Sequence, residues 1–327
     1  MAMDIKHENF DYIIYHRNCP DGFTGLIIYI LCKKYTDSTQ MPYIYGDQPD
    51  ATHLPPHIKN KKVLIIDVAY KRNLLEKIIN EAEYVTHIDH HVTVRPDTIE
   101  LGKTYSNKFV SIYDIEESGA SLTWMCMKGD KKMPKFIKYV KDNDMGIWKY
   151  KNTMPFITAL RIHYLFEHVY DNIMKWGLLF EIKEVKRLIK KGKIYVNYED
   201  YLLNQNYKKY TLEKFPSEKI YNNNKQHFSM PGQYTVALVN SSGCPSGTQL
   251  GKKILDEIEC DFCILWTLHM DKKKYVLSFR SKKIDVGKIA QLFGGGGHKL
   301  ASACSIYASQ YNITDMFFPV SMGRFQS

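Results

Sequence analysis

The stretch VTHIDHHVT (residues 85–93) ends an apolar run in Asp89-His90-His91, three side chains that bind metals or move protons. Three such groups at the exit of a strand need partners from elsewhere in the chain, and the pattern around them supplies candidates. DYIIYH (11–16) is apolar and β-branched and precedes the helical pattern GFTGLIIYILCKKY (22–35). KKVLIIDVAY (61–70) repeats the design, a short buried strand ending in an acid and followed by the helical KRNLLEKIINEAE (71–83); YVTHID (84–89) is a third strand. Apolar runs of about five residues separated by helices predict a parallel sheet with helices on both faces. Such sheets bind ligands at the carboxyl ends of their strands, where His16, Asp67 and Asp89-His90-His91 all fall.

Further along, SGASLTWMCMK (118–128) reads as a helix, and another leads into KYVKDNDMGIW (138–148). From about 154 to 213 the pattern is helical and increasingly basic, densest in EIKEVKRLIKKGK (181–193). The Pro, Asn and Gly punctuation of 214–233 marks a boundary. A second, smaller α/β unit then follows: strand YTVALVN, helix SGTQLGKKILDEI, strands DFCILWTL and KYVLSFRS, helix DVGKIAQLF and the tract GGGGHK. The predicted organisation is a doubly wound, mostly parallel α/β domain over 1–153, a helical connector over 154–215 and a smaller α/β domain over 216–327, with the active site expected between the two domains.

A chain of 327 residues is long for one core, so two domains is the natural expectation. No apolar stretch approaches the roughly 18–20 residues that span a bilayer, and MAMDIKHENF lacks a signal-peptide pattern. The seven cysteines show no zinc-type pairing; Cys260 and Cys263 form a lone CxxC at the edge of an apolar run and read as buried thiols. That usage suits a reducing compartment and a cytoplasmic protein. A net charge of +10 and a pI near 9.0 favour a polyanionic partner such as nucleic acid or a phosphorylated metabolite, although lysine-rich runs also serve simply as solvated helix faces.

Four acidic or imidazole clusters recur at loop positions: HRNCPDG (16–22) with His16 and Asp21, Asp67 closing VLIID, Asp89-His90-His91, and KDNDMGIW (141–148) with Asp142 and Asp144. Taken singly, an acid after a strand caps the next helix and a lone histidine is structural. Converging on one sheet edge, they form the oxygen-rich, nitrogen-poor donor set of Mn²⁺ or Mg²⁺. Two such ions about 3.5–4 Å apart can share a carboxylate. In the smaller unit, FGGGGHK (293–299) is bracketed by structured segments. Successive glycines let backbone N–H groups converge on an anion, and Arg280 and His298 add donors, arginine with the bidentate geometry that suits phosphate.

These residues resemble the DHH–DHHA1 phosphoesterases over nearly the whole chain. YHRNCPDGFTG, VLIIDVA, HIDHH and DNDMGIW look like the four motifs of the first domain, and ESGASLTW (117–124) like the segment between the third and fourth. VLSFRS and LFGGGGHKLASA look like the signature of the second. The resemblance implies that His16 and Asp67 bind one metal and that Asp21, Asp67, His90 and Asp144 bind the other, Asp67 bridging. Mn²⁺ is the expected ion, with Mg²⁺ as the alternative. His91 would contact the scissile phosphate or the leaving oxygen, and Asp89 would orient an imidazole. Asp142 rivals Asp144, which fits the family spacing better. Arg280, Ser281, Gly294, Gly295, Gly296, Gly297 and His298 would bind substrate. Two positions depart from the family pattern: Cys19 stands where an aspartate is usual, which leaves the first metal either a poor thiol ligand or fewer protein ligands and more water, and Ala303 stands where a glycine is usual. The implied activity is hydrolysis of short oligonucleotides or linear dinucleotides to mononucleotides by a dinuclear metal-bound hydroxide, with no membrane partner and with room for a homodimer. The rivals are a polyphosphate or pyrophosphate hydrolase, and a nucleotide-binding protein without turnover.

Overall fold

The run YIIYH forms β1 (Tyr12–His16), and its alternate side chains enter two different cores. Ile13 and Tyr15 pack on one face of the sheet with Leu64, Ile66 and Ile88, whereas Tyr12 and Ile14 pack on the other with Val63, Ile65 and Val85. A strand covered on both faces has no solvent-facing position to mark with a polar residue, so it reads as a continuous apolar run rather than an alternating one.

The computed structural model describes residues 5–35, 37–244 and 246–318. The chain forms two units, divided between Val196 and Asn197. In the first, β1 is followed by α1 (Pro20–Lys33), β2 (Tyr43–Asp47), β3 (Lys62–Ile66), α2 (Arg72–Glu81), β4 (Tyr84–Asp89), α3 (Arg95–Thr104), β5 (Phe109–Tyr113) and α4 (Gly119–Lys128). All strand pairs are parallel, in the order β2-β1-β3-β4-β5. Leu74, Leu75, Ile78 and Leu101 bring α2 and α3 onto one face, and Phe23, Ile27 and Leu122 bring α1 and α4 onto the other. The unit is therefore a doubly wound parallel α/β domain. The chain leaves β1 in one direction for β2 and returns on its other side as β3, so the carboxyl ends of β1 and β3 flank the switch point where such folds bind ligands.

Helices α5 (Lys135–Asp144), α6 (Thr153–His163), α7 (Tyr170–Gly177) and α8 (Ile182–Tyr207) complete the helical part. Phe156, Leu160, Trp176 and Leu188 belong to the first core and Leu203 to a core of the second unit, so the segment expected as a connector is divided between the two.

In the second unit come β6 (Thr211–Phe215), α9 (Glu218–Asn223), β7 (Tyr234–Asn240), α10 (Gly247–Glu257), β8 (Phe262–His269), β9 (Lys274–Ser281), α11 (Val286–Gln291), β10 (Gly296–His298) and β11 (Ala301–Tyr307). They form a mixed sheet in the order β10-β11-β9-β8-β7-β6, parallel only between β7 and β8. Here too the strands feed two cores: Phe262 and Ile264 on one face, Cys263 and Leu265 on the other. The helical pattern expected as far as residue 213 ends earlier, because TLEKF pairs with β7 as an edge strand. Its largely exposed side chains carry no apolar periodicity; the pairing partner decides its conformation. Among the described residues no helix is long and apolar enough to cross a membrane.

Candidate functional site

Four loops of the first unit meet at the switch point. Asp67 follows β3 directly and is 1% exposed, in a left-handed backbone conformation with φ +64°. Aspartate tolerates that region better than most residues, and such a conformation at a strand end is the kind of local strain that clusters at functional sites. One carboxylate oxygen, Oδ2, lies 3.5 Å from His16 Nδ1 at the end of β1 and 3.5 Å from Cys19 Sγ. The other, Oδ1, lies 3.3 Å from His90 Nε2, which is in turn 3.2 Å from Asp144 Oδ2. Three overlapping donor sets result, His16–Cys19–Asp67, Asp21–His90–Asp144 and Asp67–Asp89–His90–His91, the ligating atoms of each within 4.8 Å of one another. Asp67 belongs to the first and third sets and meets the second through His90.

Asp21 sits in the first turn of α1 and is fully buried. Ser118 Oγ donates to its Oδ1 at 2.6 Å and the Ala120 N–H donates at 3.2 Å, so the amino end of α4 holds this carboxylate. Gly119 lies between those donors, and a Cβ there would come within 2.7 Å of Asp67 Cβ and 2.9 Å of Asp21 Oδ2. Only a residue without a side chain lets α4 approach both acids.

Several of these donor atoms lie close together without bonding one another. His16 Nδ1, Asp67 Oδ1 and His90 Nε2 are buried, and among the described residues none has a hydrogen-bond partner despite its short distances to the others. Buried polar atoms are nearly always satisfied, and a shared cation is what this geometry fits. The charge balance agrees. Burial, then the nearby Asp67, raises Asp144 to about 6, and burial with the Asp67 and Asp144 charges raises Asp21 well above the usual carboxylate range. Burial would also raise Asp67, but the imidazoles of His16 and His90 outweigh it and hold that acid at about 2. For His90, burial is overcome by Asp67 and Asp144, which lift it to about 9. Cys19 remains a thiol, raised by burial and by the Asp67 and Asp21 charges.

Within the third set His91 Nδ1 lies 2.7 Å from Asp89 Oδ1. That contact raises the imidazole and fixes which nitrogen stays available. Asp142 has a different role from Asp144. Its carboxylate accepts from the N–H of Lys149 at 2.8 Å, from the N–H of Tyr150 at 3.2 Å and from the Thr153 hydroxyl. It therefore holds the loop after α5, while Asp144 faces His90.

In the second unit, Arg280 on β9 donates to Phe279 O at 2.8 Å and to Thr248 Oγ1 at 3.4 Å, and His298 is exposed on the edge strand β10. The other expected substrate contacts change character. Ser281 Oγ donates to Asp261 O and accepts from the N–H groups of Lys283 and Ile284, so it builds the turn after β9. The Gly294 and Gly295 amides donate to Gln291 O and Ala290 O at 3.0 Å each, ending α11 instead of forming an anion cradle. Gly296 and Gly297 pair with Ala303 and Ser302 of β11. At Gly297, φ is +138° and a Cβ would lie 2.7 Å from Ala301 O, so that position needs glycine for the hairpin itself.

No family model matches the chain. Over 317 residues it is 30% identical to uncharacterized protein R106 of Acanthamoeba polyphaga mimivirus, covering 90% of this chain and 67% of that protein. The chain belongs to one family with R106. Among solved structures, the fold is similar to that of PggH, a pGpG-specific phosphodiesterase from Vibrio cholerae, with a TM-score of 0.51, 14% identity and coverage of 91% of this chain and 94% of that one. An exopolyphosphatase-related protein from Bacteroides fragilis follows, with a TM-score of 0.45, 14% identity and coverage of 91% and 88%. The likeness to PggH is one of fold, the α/β architecture of the two units described above.

Within this R106-family chain, sequence reasoning missed three site-supporting residues. Ser118 was visible only as the start of a Ser-x-x-Ser cap before a helix. Thr248, beside Arg280, carries no sequence signal. His87, fully buried on β4, contacts Val68 O at 3.1 Å and Asp89 Oδ2 at 3.8 Å; its place inside a strand-like run that ends in Asp89-His90-His91 was its one sequence signal.

Proposed function

We propose that this chain is a divalent-metal-dependent phosphodiesterase that cleaves short oligonucleotides or linear dinucleotides to mononucleotides. The observation that carries the reading is the position of Asp67, a member of the donor set with His16 and Cys19 that also meets His90 of the set with Asp21 and Asp144, while His16 Nδ1, Asp67 Oδ1 and His90 Nε2 are buried without a hydrogen-bond partner among the described residues. Asp67 would span two cations, with His16 and Cys19 on one side and Asp21, His90 and Asp144 on the other. Mn²⁺ matches this carboxylate–imidazole mixture best. When bound, two such ions supply Lewis acidity at the phosphoryl oxygens and neutralise developing charge.

The chain's own residues do the rest. The Asp89 carboxylate on His91 Nδ1 holds the ring so that Nε2 is the nitrogen left to donate to a phosphate or leaving oxygen. Ser118 and the Ala120 N–H fix Asp21, so that this ligand needs no reorganisation on loading. Arg280 and His298 on the smaller unit are assigned to gripping a second phosphate or nucleotide end. Support for a nucleotide substrate comes from those two residues, from the net charge of +10 and from the likeness of fold to a dinucleotide phosphodiesterase.

The test is release of mononucleotide or phosphate from a linear dinucleotide, pyrophosphate and tripolyphosphate, with Mn²⁺ supplied or chelated. Preferential, Mn²⁺-dependent cleavage of the dinucleotide is expected. Preference for either phosphoanhydride would replace the reading by a polyphosphate or pyrophosphate hydrolase, and tight nucleotide binding without product would make the chain a binding protein.

A further inference from the structure

One buried histidine stands behind the metal centre and belongs to none of the three donor sets. His87 lies two residues before Asp89 on β4, on the same face of the strand, and is fully buried. Its ring packs beside Phe109 of β5, with centroids 6.3 Å apart. An aliphatic side chain would meet the packing needs of that face, as Val85 does two positions earlier. The imidazole adds polar contacts. Its Nε2 lies 3.1 Å from Val68 O, whereas its buried Nδ1 has no hydrogen-bond partner among the described residues. A neutral imidazole carries one proton. On Nε2 that proton meets a carbonyl; on Nδ1 it would be a buried donor left unsatisfied. The geometry selects the Nε2–H form.

Both groups that Nε2 faces are tied to the candidate site. Val68 follows Asp67 directly, just past the left-handed conformation of that acid. The Asp67 N–H donates to Ile88 O at 2.9 Å, so β4 holds Asp67 from its amino side through Ile88 and from its carboxyl side through His87. The same Nε2 is 3.8 Å from Asp89 Oδ2, a buried oxygen without a hydrogen-bond partner among the described residues, while Asp89 Oδ1 lies 2.7 Å from His91 Nδ1. We propose that His87 is a positioning residue, whose Nε2–H ties the Asp67 turn to the Asp89–His91 pair and keeps their spacing before any cation arrives. With an aliphatic residue in its place, Val68 O would keep the Tyr70 N–H at 2.9 Å, but the link to β4 would be gone, and Asp89 Oδ2 would lose the N–H dipole beside it. The inference rests on the reading of Asp67 and His91 as metal and phosphate contacts, and it adds a residue that touches neither metal nor phosphate.

The first measurement needs no metal: long-range proton–nitrogen correlation spectra of the histidine side chains, taken on the full-length protein in chelator, with His87 assigned from the signals lost in His87→Gln. His87 should show the Nε2–H tautomer. The Nδ1–H tautomer overturns the proposal, because no donor would then face Val68 O. The second measurement is Mn²⁺ affinity by calorimetry. His87→Leu keeps an apolar side chain and loses the donor; it should bind Mn²⁺ about tenfold or more weakly than wild type, the usual cost of removing a group that orients a metal site from behind. In chelator, the same variant should shift the His91 side-chain signals. His87→Gln, whose amide N–H can reach toward Val68 O, should restore most of the lost affinity. Should the leucine variant fail to fold by circular dichroism, the unbranched His87→Met takes its place. Equal Mn²⁺ affinity of wild type and the folded apolar variant overturns the proposal. So does a folded glutamine variant that loses as much as the apolar one, since His87 would then act through its packing alone. A wild type that binds Mn²⁺ and leaves dinucleotides intact would count against the proposed hydrolysis and not against this role.

Discussion

His90 Nε2 lies 3.3 Å from Asp67 Oδ1 and makes no hydrogen bond to it. Two groups of opposite charge at that distance ordinarily turn to bond each other. Here neither atom has another partner among the described residues; Asp67 also lies 3.5 Å from His16, and His90 lies 3.2 Å from Asp144, so Asp67 and His90 link the two sides. Asp67→Asn should therefore cost at least about a thousandfold in turnover, ~4 kcal/mol of barrier, while the fold survives. Asparagine shares aspartate's tolerance of the left-handed region that φ +64° requires. Activity within about tenfold of wild type, ~1.4 kcal/mol, would sink the shared-ligand assignment.

Asp142 and Asp144 are two residues apart and should separate cleanly. Asp142→Asn puts an amide among the Lys149 N–H, the Tyr150 N–H and the Thr153 hydroxyl, so a donor meets donors. The expected cost is about 1–3 kcal/mol of stability, read as a lower unfolding midpoint in denaturant, with Mn²⁺ affinity largely kept. Asp144→Asn should do the reverse, losing about tenfold or more in Mn²⁺ affinity by calorimetry with little cost to the metal-free fold. The opposite pairing would mean that Asp142 is the ligand.

Cys19 precedes α1 with extended backbone and no side-chain cap bond, and its Sγ is 3.5 Å from Asp67 Oδ2. Cys19→Asp introduces a harder ligand there and, without metal, a second buried negative charge. Metal-free Cys19→Asp should melt below wild type, and at saturating Mn²⁺ it should melt above it, with Mn²⁺ affinity raised about tenfold or more. A melting shift of the same sign in both conditions would show that the added carboxylate does not reach the first cation.

Much of this centre was legible because its chemistry is concentrated at strand ends. Asp67 and Asp89-His90-His91 close the strand-like runs KVLII and YVTHI, and both runs became interior strands of the sheet. Edge strands were harder. β2 mixes Gly46 and Asp47 with tyrosines, and TLEKF of β6 has one fully buried side chain; such strands are defined by the neighbour they pair with. The Gly-rich tract was legible as structured, but not in what its amides do. Gly294 and Gly295 end α11, and no local pattern distinguishes a helix-ending amide from an anion-binding one. Asp142 and Asp144 could be ranked only by spacing, because the hydrogen bonds that separate them come from residues 149 to 153, across a loop.

The metal-free centre should be most stable at mildly acidic pH. Asp144, raised to about 6 from an ordinary 3.8, holds its proton more tightly folded than unfolded, so its contribution is complete in acid and is lost as pH climbs toward 6; Asp21 shifts the same way. His90, raised to about 9 from 6.5, adds stability that disappears as pH rises through 9. Asp67, held at about 2, contributes above 3.8 and is lost only in stronger acid. Buried His87, shifted downward, opposes the trend below its ordinary value, so the decisive comparison removes one acid. In chelator, Asp144→Asn should melt close to wild type at about pH 5 and above it at about pH 8.5, because only wild type then carries the crowded negative charge. Saturating Mn²⁺ at about pH 8.5 should reverse the order, since the ionised Asp144 becomes a ligand. Parallel melting curves for the two proteins across this range, with and without Mn²⁺, would remove Asp144 from the charge cluster and with it the second donor set.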